Sequence, residues 1–196
     1  MVTRPKILAF AGSLRKDSYN KKLIRIAVKG AEEAGGDVRL IDLLDYQFPL
    51  YNEDIERDSG VPEKAKELKK MMIESQGFLL SCPEYNSSIS GVLKNTIDWA
   101  SRQETPDEEN LICFKKKIVT LMSASPGPLG GLRGLVTVRS IFGNINCIVL
   151  PNQKCISKAF DAFNADGSLK DLKAQESVLQ LGRDHVNFLK SLDLKM

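Results

Sequence analysis

Histidine is almost missing from this 196-residue chain: the only one is His185. A multi-histidine metal site is thereby excluded, and a lone imidazole near the end of the chain reads as a surface or packed residue of the last helix. Cysteine is sparse as well. Cys82, Cys113, Cys147 and Cys155 show no C-x-x-C spacing, and Cys82 and Cys147 sit inside apolar runs, where a thiol behaves as a small hydrophobe. A reduced, cytoplasmic protein is the expectation. No apolar run approaches the roughly 18 residues that cross a bilayer. The stretch Ile7–Ala11 behind Arg4 and Lys6 is shorter than a secretory apolar region of about 7–15 residues, and reads instead as a first buried strand. An excess of one charge is also missing. Lys and Arg number 28 against 25 Asp and Glu, a formal charge of +3, too mild to imply nucleic acid. Lys115-Lys116-Lys117 reads as a solvated approach to a strand. Two nucleotide signatures are absent: there is no G-x-x-x-x-G-K-[ST] and no G-x-G-x-x-G.

What remains is an alternation. Short apolar runs at Lys6–Ala11, Val38–Leu43, Gly77–Cys82, Ile118–Ser123 and Ile145–Leu150 read as strands, the last stopped by Pro151. Between and after them, helical periodicity covers Asn20–Ala34, Val61–Ser75, Val92–Arg102, Gly131–Phe142 and about Leu169–Leu192. Strand and helix in turn predict a parallel sheet covered on both faces. With no repeat and no linker, residues 1–196 are expected to form one domain. Three longer connections stand out: Leu44–Gly60, Gln103–Phe114 and Asn152–Ser168. Connections of that length in a compact domain are functional or disordered.

Three segments carry chemistry, each just past a strand. After the first come Gly12-Ser13-Leu14-Arg15-Lys16-Asp17-Ser18-Tyr19-Asn20. Unpaired N–H groups at a helix start favour an anion; Ser13, Ser18 and Asn20 add neutral donors, and Arg15 a planar fork suited to phosphate. A plain N-cap at Asp17 or Ser18 is the bland alternative. After the third strand, Pro83-Glu84-Tyr85-Asn86-Ser87-Ser88-Ile89-Ser90-Gly91 leads into the Val92–Trp99 helix. In a flavodoxin-like sheet of order 2-1-3-4-5, strands one and three meet at the switch point where FMN binds. A flat ring along residues 83–87 would then meet backbone amides, with Tyr85 at its border. The alternative is that Pro83 and Tyr85 only shape a turn; Trp99 reads as core. After the fourth strand, Ser123-Ala124-Ser125-Pro126-Gly127-Pro128-Leu129-Gly130-Gly131 ends on the same edge, a weaker signal that a flexible loop also explains.

These segments resemble the NADPH-dependent FMN reductases, a family that includes chromate, quinone and azo-dye reductases. GSLRKDSYNKKL (12–23), PEYNSSISGVLKNTIDWASR (83–102) and, more loosely, SASPGPLGG (123–131) carry the likeness, and the order of elements agrees over nearly the whole chain. The resemblance implies a flavodoxin-like three-layer αβα sandwich on a five-stranded parallel sheet. It implies FMN as cofactor and NADPH or NADH as donor. Ser13, Arg15, Ser18, Tyr19 and Asn20 would hold the phosphate; Pro83, Glu84, Tyr85 and Asn86 would border the isoalloxazine ring, with Ser125 near it. No catalytic acid, base or metal ligand is implied. A small-molecule acceptor is expected, with no nucleic acid and no membrane. A homodimer or homotetramer is expected too, because the 44–60 connection carries Tyr46, Phe48, Leu50 and Tyr51 among charges. Two departures from the family pattern are Asp17, where a small residue is usual, and an acidic, slightly longer 103–114 connection. Two other classes use such a fold: an electron-carrying flavodoxin and a non-catalytic FMN-binding regulatory module.

Overall fold

The computed structural model describes residues 4–193. Strands β1 (Lys6–Ala11), β2 (Asp37–Leu40), β3 (Gly77–Ser81), β6 (Ile118–Ala124) and β7 (Ile148–Ile156) form one parallel sheet in the order β2-β1-β3-β6-β7, which is the 2-1-3-4-5 order among the long strands. The three inner strands are apolar almost throughout and buried on both faces, as parallel strands between helices must be. Register between them is continuous, from Ile7↔Gly77 to Ala11↔Ser81 and from Gly77↔Ile118 to Ser81↔Met122.

Helices α1 (Tyr19–Glu33) and α7 (Leu172–Asp193) cover one face, and α3 (Glu63–Glu74), α4 (Gly91–Ala100) and α5 (Leu132–Asn144) the other. Their apolar stripes close two cores, one around Leu23, Ala27, Leu79 and Val186, the other around Phe10, Leu68, Phe78 and Phe142. The α1–α7 contact is backbone to backbone: a Cβ on Gly182 would lie 2.0 Å from Ala27 O, and one on Gly30 would lie 2.0 Å from Leu179 O. Only glycine fits there.

The long connections are ordered, contrary to part of the sequence reading. The 44–60 stretch contains α2 (Glu53–Ser59). It is fastened to α4, because Trp99 Nε1 donates to Pro49 O at 2.7 Å and Asn95 bonds both Pro49 O and the Tyr51 N–H. The 103–114 stretch has no helix or strand but is anchored by Lys69 of α3. That side chain is fully buried and donates to Glu108 at 2.8 Å and to Arg102 O at 2.5 Å. Lys117 is not solvated as expected; it caps the end of α3 by donating to Ile73 O and Ser75 O. The last strand does not stop at Pro151. It runs to Ile156 because β7 is an edge strand, where a missing N–H costs little. The register shifts between Val119 and Leu121 there, and Arg139 of α5 bonds Leu150 O at 2.9 Å and Gln153 Oε1 at 2.9 Å. Short helix α6 (Ala159–Ala162) follows it. Residues 84–89 form a small hairpin of β4 (Glu84–Tyr85) and β5 (Ser88–Ile89) that periodicity did not reveal.

Candidate functional site: a crevice at the switch point of the sheet

The first turn and the hairpin meet. Gly12 N–H donates to Ser81 O at 2.9 Å, and Ser90 Oγ, which caps α4, donates to Gly12 O at 2.6 Å. A Cβ on Gly12 would come 3.1 Å from Leu93 and 3.4 Å from Pro83, so the two segments touch. The third segment joins them through Asn20 and Glu84. Asn20 bonds Ala124, and Glu84 reaches across to the first turn of α5. All three predicted segments therefore meet at the carboxyl ends of β1, β3 and β6, where a reversal of strand order leaves a crevice.

The 13–20 turn is rich in unused donors. Among the described residues no protein acceptor takes the N–H groups of Leu14, Lys16, Asp17, Ser18, Tyr19 or Asn20. Ser18 occupies the N-cap of α1 with 3% exposure, yet its hydroxyl makes no capping bond. A hydroxyl in that position ordinarily takes the N–H two or three residues on. Here both hydroxyl and amides are left for something else. Ser13 is buried and its Oγ accepts from the Arg15 N–H at 3.3 Å, which bends the turn. The Arg15 guanidinium lies 5.9 Å from the Tyr19 ring centroid, and Tyr19 stacks on Phe163 with centroids 6.1 Å apart. This wall of the turn is an aromatic column topped by a cation. The turn, with its amides, hydroxyl and cation, fits a phosphate group at the positive end of a 15-residue helix.

The hairpin presents a different face. Pro83 is buried; Tyr85 is 52% exposed; Asn86 and Ser87 form the tip with φ of +50° and +64°. Two such residues in succession make the primed turn that short hairpins favour. Glu84 does not aim into the crevice. Its Oε1 accepts from Arg133 at 2.8 Å and its Oε2 from the Gly134 N–H at 3.1 Å. Burial raises its pKa, but the Gly134 N–H and Arg133 outweigh that and hold the carboxyl below its ordinary range. Ser125 is half-buried, its Oγ accepting from the Gly127 N–H and its carbonyl from the Ala159 N–H. Gly130 and Gly131 follow with φ of +62° and +92°, and a Cβ on Gly131 would lie 1.9 Å from Ser123 Oγ. The backbone thus approaches the strand end more closely than any side chain permits.

Sequence reasoning gave no role to Ser81, a polar residue inside an apolar run, and quoted Ser90 and Asn95 within the 83–102 segment without reading that they fasten the loops. It placed Asn20 among the phosphate donors; three hydrogen bonds turn its amide toward β3 and β6 instead. The three buried cysteines take no part. Burial pushes the thiols of Cys82, Cys113 and Cys147 up to about 12, which leaves them protonated and inert.

A sheet of this order binds mononucleotides where its strand order reverses, and here that point carries the unpaired donors; the class is a flavodoxin-type mononucleotide binder. The chain belongs to the NADPH-dependent FMN reductases, whose family profile matches residues 5–161. It is 36% identical over 177 residues to an NAD(P)H-dependent FMN reductase of Pseudomonas aeruginosa, covering 89% of this chain and 90% of that protein. It is 34% identical over 167 residues to a quinone reductase of Pseudomonas putida, covering 84% of each. Among solved structures it is similar to FerB, a flavoenzyme NAD(P)H:(acceptor) oxidoreductase from Paracoccus denitrificans. The TM-score is 0.77 at 28% identity, over 95% of this chain and 98% of that one.

Proposed function

We propose that this chain oxidises NADPH or NADH through FMN held in the crevice and reduces small acceptors: quinones, azo compounds, free flavins or metal oxyanions such as chromate. The observation that carries the reading is the 13–20 turn, with its unpaired N–H groups and the uncommitted Ser18 hydroxyl. Bound FMN supplies the two-electron chemistry, and the protein supplies binding and orientation. Ser13, Arg15, Ser18 and Tyr19 hold the phosphate, with Asn20 behind them. Pro83, Glu84, Tyr85 and Asn86 border the ring, Glu84 through its backbone because its carboxylate is engaged with α5. Ser125 meets the ring from the other loop. The reductase reading stands above an electron carrier because the relatives at 31–36% identity are named reductases.

The protein works in the cytoplasm as a homodimer or homotetramer. Tyr46, Phe48 and Tyr51 pack partly within their own chain, but Leu50 is 76% exposed. It rims an apolar hollow of about 350 Å³ lined by Leu14, Tyr46, Phe48 and Val92. A second subunit covers that hollow, and light scattering at micromolar concentration should give a mass at least twice that of one chain.

The test of the function is a titration followed by turnover. The folded protein should bind FMN one to one and then consume NADPH or NADH with a quinone present. FMN binding without oxidation of either nicotinamide would make it a carrier. Failure to bind FMN would overturn the reading.

A further inference from the structure

Where one strand of a sheet runs out, the last polar groups of its longer neighbour lose their partner. β3 runs out early. Its register with β6 ends at Ser81↔Met122, and the Cys82 N–H still reaches Met122 O at 2.8 Å. The next residue, Pro83, has no N–H and turns into the hairpin. β6 continues to Ala124. The far side of the ladder is kept by β7, since the Ser125 N–H donates to Ile156 O at 3.0 Å. On the β3 side, no backbone remains to meet Ala124.

Asn20 fills that place. Its Oδ1 accepts from the Ala124 N–H at 3.0 Å, its Nδ2 donates to Ala124 O at 2.9 Å, and Ser81 Oγ donates to Oδ1 at 2.9 Å. Asn20 is 4% exposed and Ser81 fully buried. A side-chain amide offers the same donor and acceptor as a peptide group. Asn20 therefore stands in for one more rung of β3, and its amide can face only one way round.

We infer that Asn20 is a positioning residue: it sets the 125–131 loop at the height the flavin ring needs and couples that loop to the phosphate turn. The inference rests on the assignment of those two loops to FMN proposed above. Ser125 directly follows the residue that Asn20 clamps, and Ser18 and Tyr19 directly precede Asn20 itself. One side chain thus joins the two ends of the cofactor site without touching the phosphate.

The experiment compares Asn20→Ala, Asn20→Asp, Ser81→Ala and Arg15→Ala with the unchanged full chain, with and without FMN. Asn20→Asp keeps the Oδ1 arm and sets an oxygen against Ala124 O; Ser81→Ala removes one bond of three and spares the fold. Amide hydrogen exchange, affinities for FMN and riboflavin, and the circular dichroism of bound flavin are read together. In Asn20→Ala, exchange over 124–131 should rise about tenfold or more while the middle of α5 is unchanged. Both flavins should weaken by the same factor to within about twofold, and the flavin dichroism should shift. Ser81→Ala and Asn20→Asp should move all three the same way, Ser81→Ala by less. Loss of FMN affinity alone, with riboflavin unchanged, would make Asn20 a phosphate contact and overturn the inference. A lower melting temperature with unchanged exchange at 124–131 and unchanged flavin dichroism would overturn it too. If Arg15→Ala has no effect on FMN while Asn20→Ala still opens 124–131, the phosphate assignment fails and the rung itself stands.

Discussion

Arg15 has no carboxylate partner among the described residues, and its guanidinium rests near the Tyr19 ring beside a row of unpaired N–H groups. A planar cation in that setting is placed to meet a dianion. Arg15→Ala should weaken FMN about ten- to a hundredfold, the worth of a charge-assisted contact. Riboflavin, which lacks the phosphate, should change little. Fluorescence titration with the two flavins checks this, and equal losses would place Arg15 elsewhere. At this scale residue types were legible in the sequence and directions were not. Ser, Arg and Asn after a glycine turn announced an anion site, but nothing local told that the Asn20 amide would turn to Ala124, 104 residues away. Nor did anything local say that the Glu84 carboxylate would seat on the Gly134 N–H. Both directions are set by tertiary neighbours that only the folded sheet brings near.

The elements were easier to read where the chain is buried on both sides. β1 falls on the residues expected, and β3 and β6 differ by one residue at an end, because strands apolar throughout have few other places in a parallel fold. Legibility failed at the edges. β7 passes through Pro151, and the hairpin at 84–89 is too short to show a period. The 103–114 stretch has no helical or strand period; its order comes from Cys113 and Phe114 seated in the core and from one distant side chain. Lys69 is fully buried and pairs with Glu108 and Glu104, whose side chains are 14% and 31% exposed. Removing one partner of such a cluster leaves buried charge unpaired, which costs about 3–5 kcal/mol. Lys69→Ala should therefore lower the urea midpoint sharply and expose 103–114 to protease. α7 carries a second buried group. His185 is fully buried, its Nδ1 is 2.9 Å from Thr120 Oγ1, and its Nε2 has no partner among the described residues. Burial pulls its pKa from 6.5 down to about 3. The folded state thus keeps it neutral while the unfolded chain takes up a proton below about 6.5. This contribution to stability is complete above that pH and is lost as pH falls from 6.5 toward 3. One proton corresponds to about 1.4 kcal/mol per pH unit in that window. Urea unfolding between about pH 4 and 6 should show that slope, and His185→Asn should flatten it.

The described residues build one five-stranded parallel sheet with one switch point, and that fact constrains the order of events. FMN lying from the 13–20 turn to the hairpin would fill the crevice where the strand order reverses. No second nucleotide fingerprint occurs in the chain. A nicotinamide would then stack on the exposed side of the ring, held by loops such as 44–60 and 123–131. An acceptor such as a quinone needs the same side, because electrons leave by the ring through which they arrived. Two planar molecules do not share one face. On this geometry the oxidised nicotinamide would have to depart before the acceptor arrives, and FMN would have to stay bound in between. That retention requires tight binding, which the buried Ser13 and Ser18 and the turn around Arg15 are placed to give. Initial rates with NADPH and a quinone varied independently should give parallel double-reciprocal lines, and high quinone should inhibit by competing with NADPH. Intersecting lines with a detectable ternary complex would mean that donor and acceptor occupy separate places.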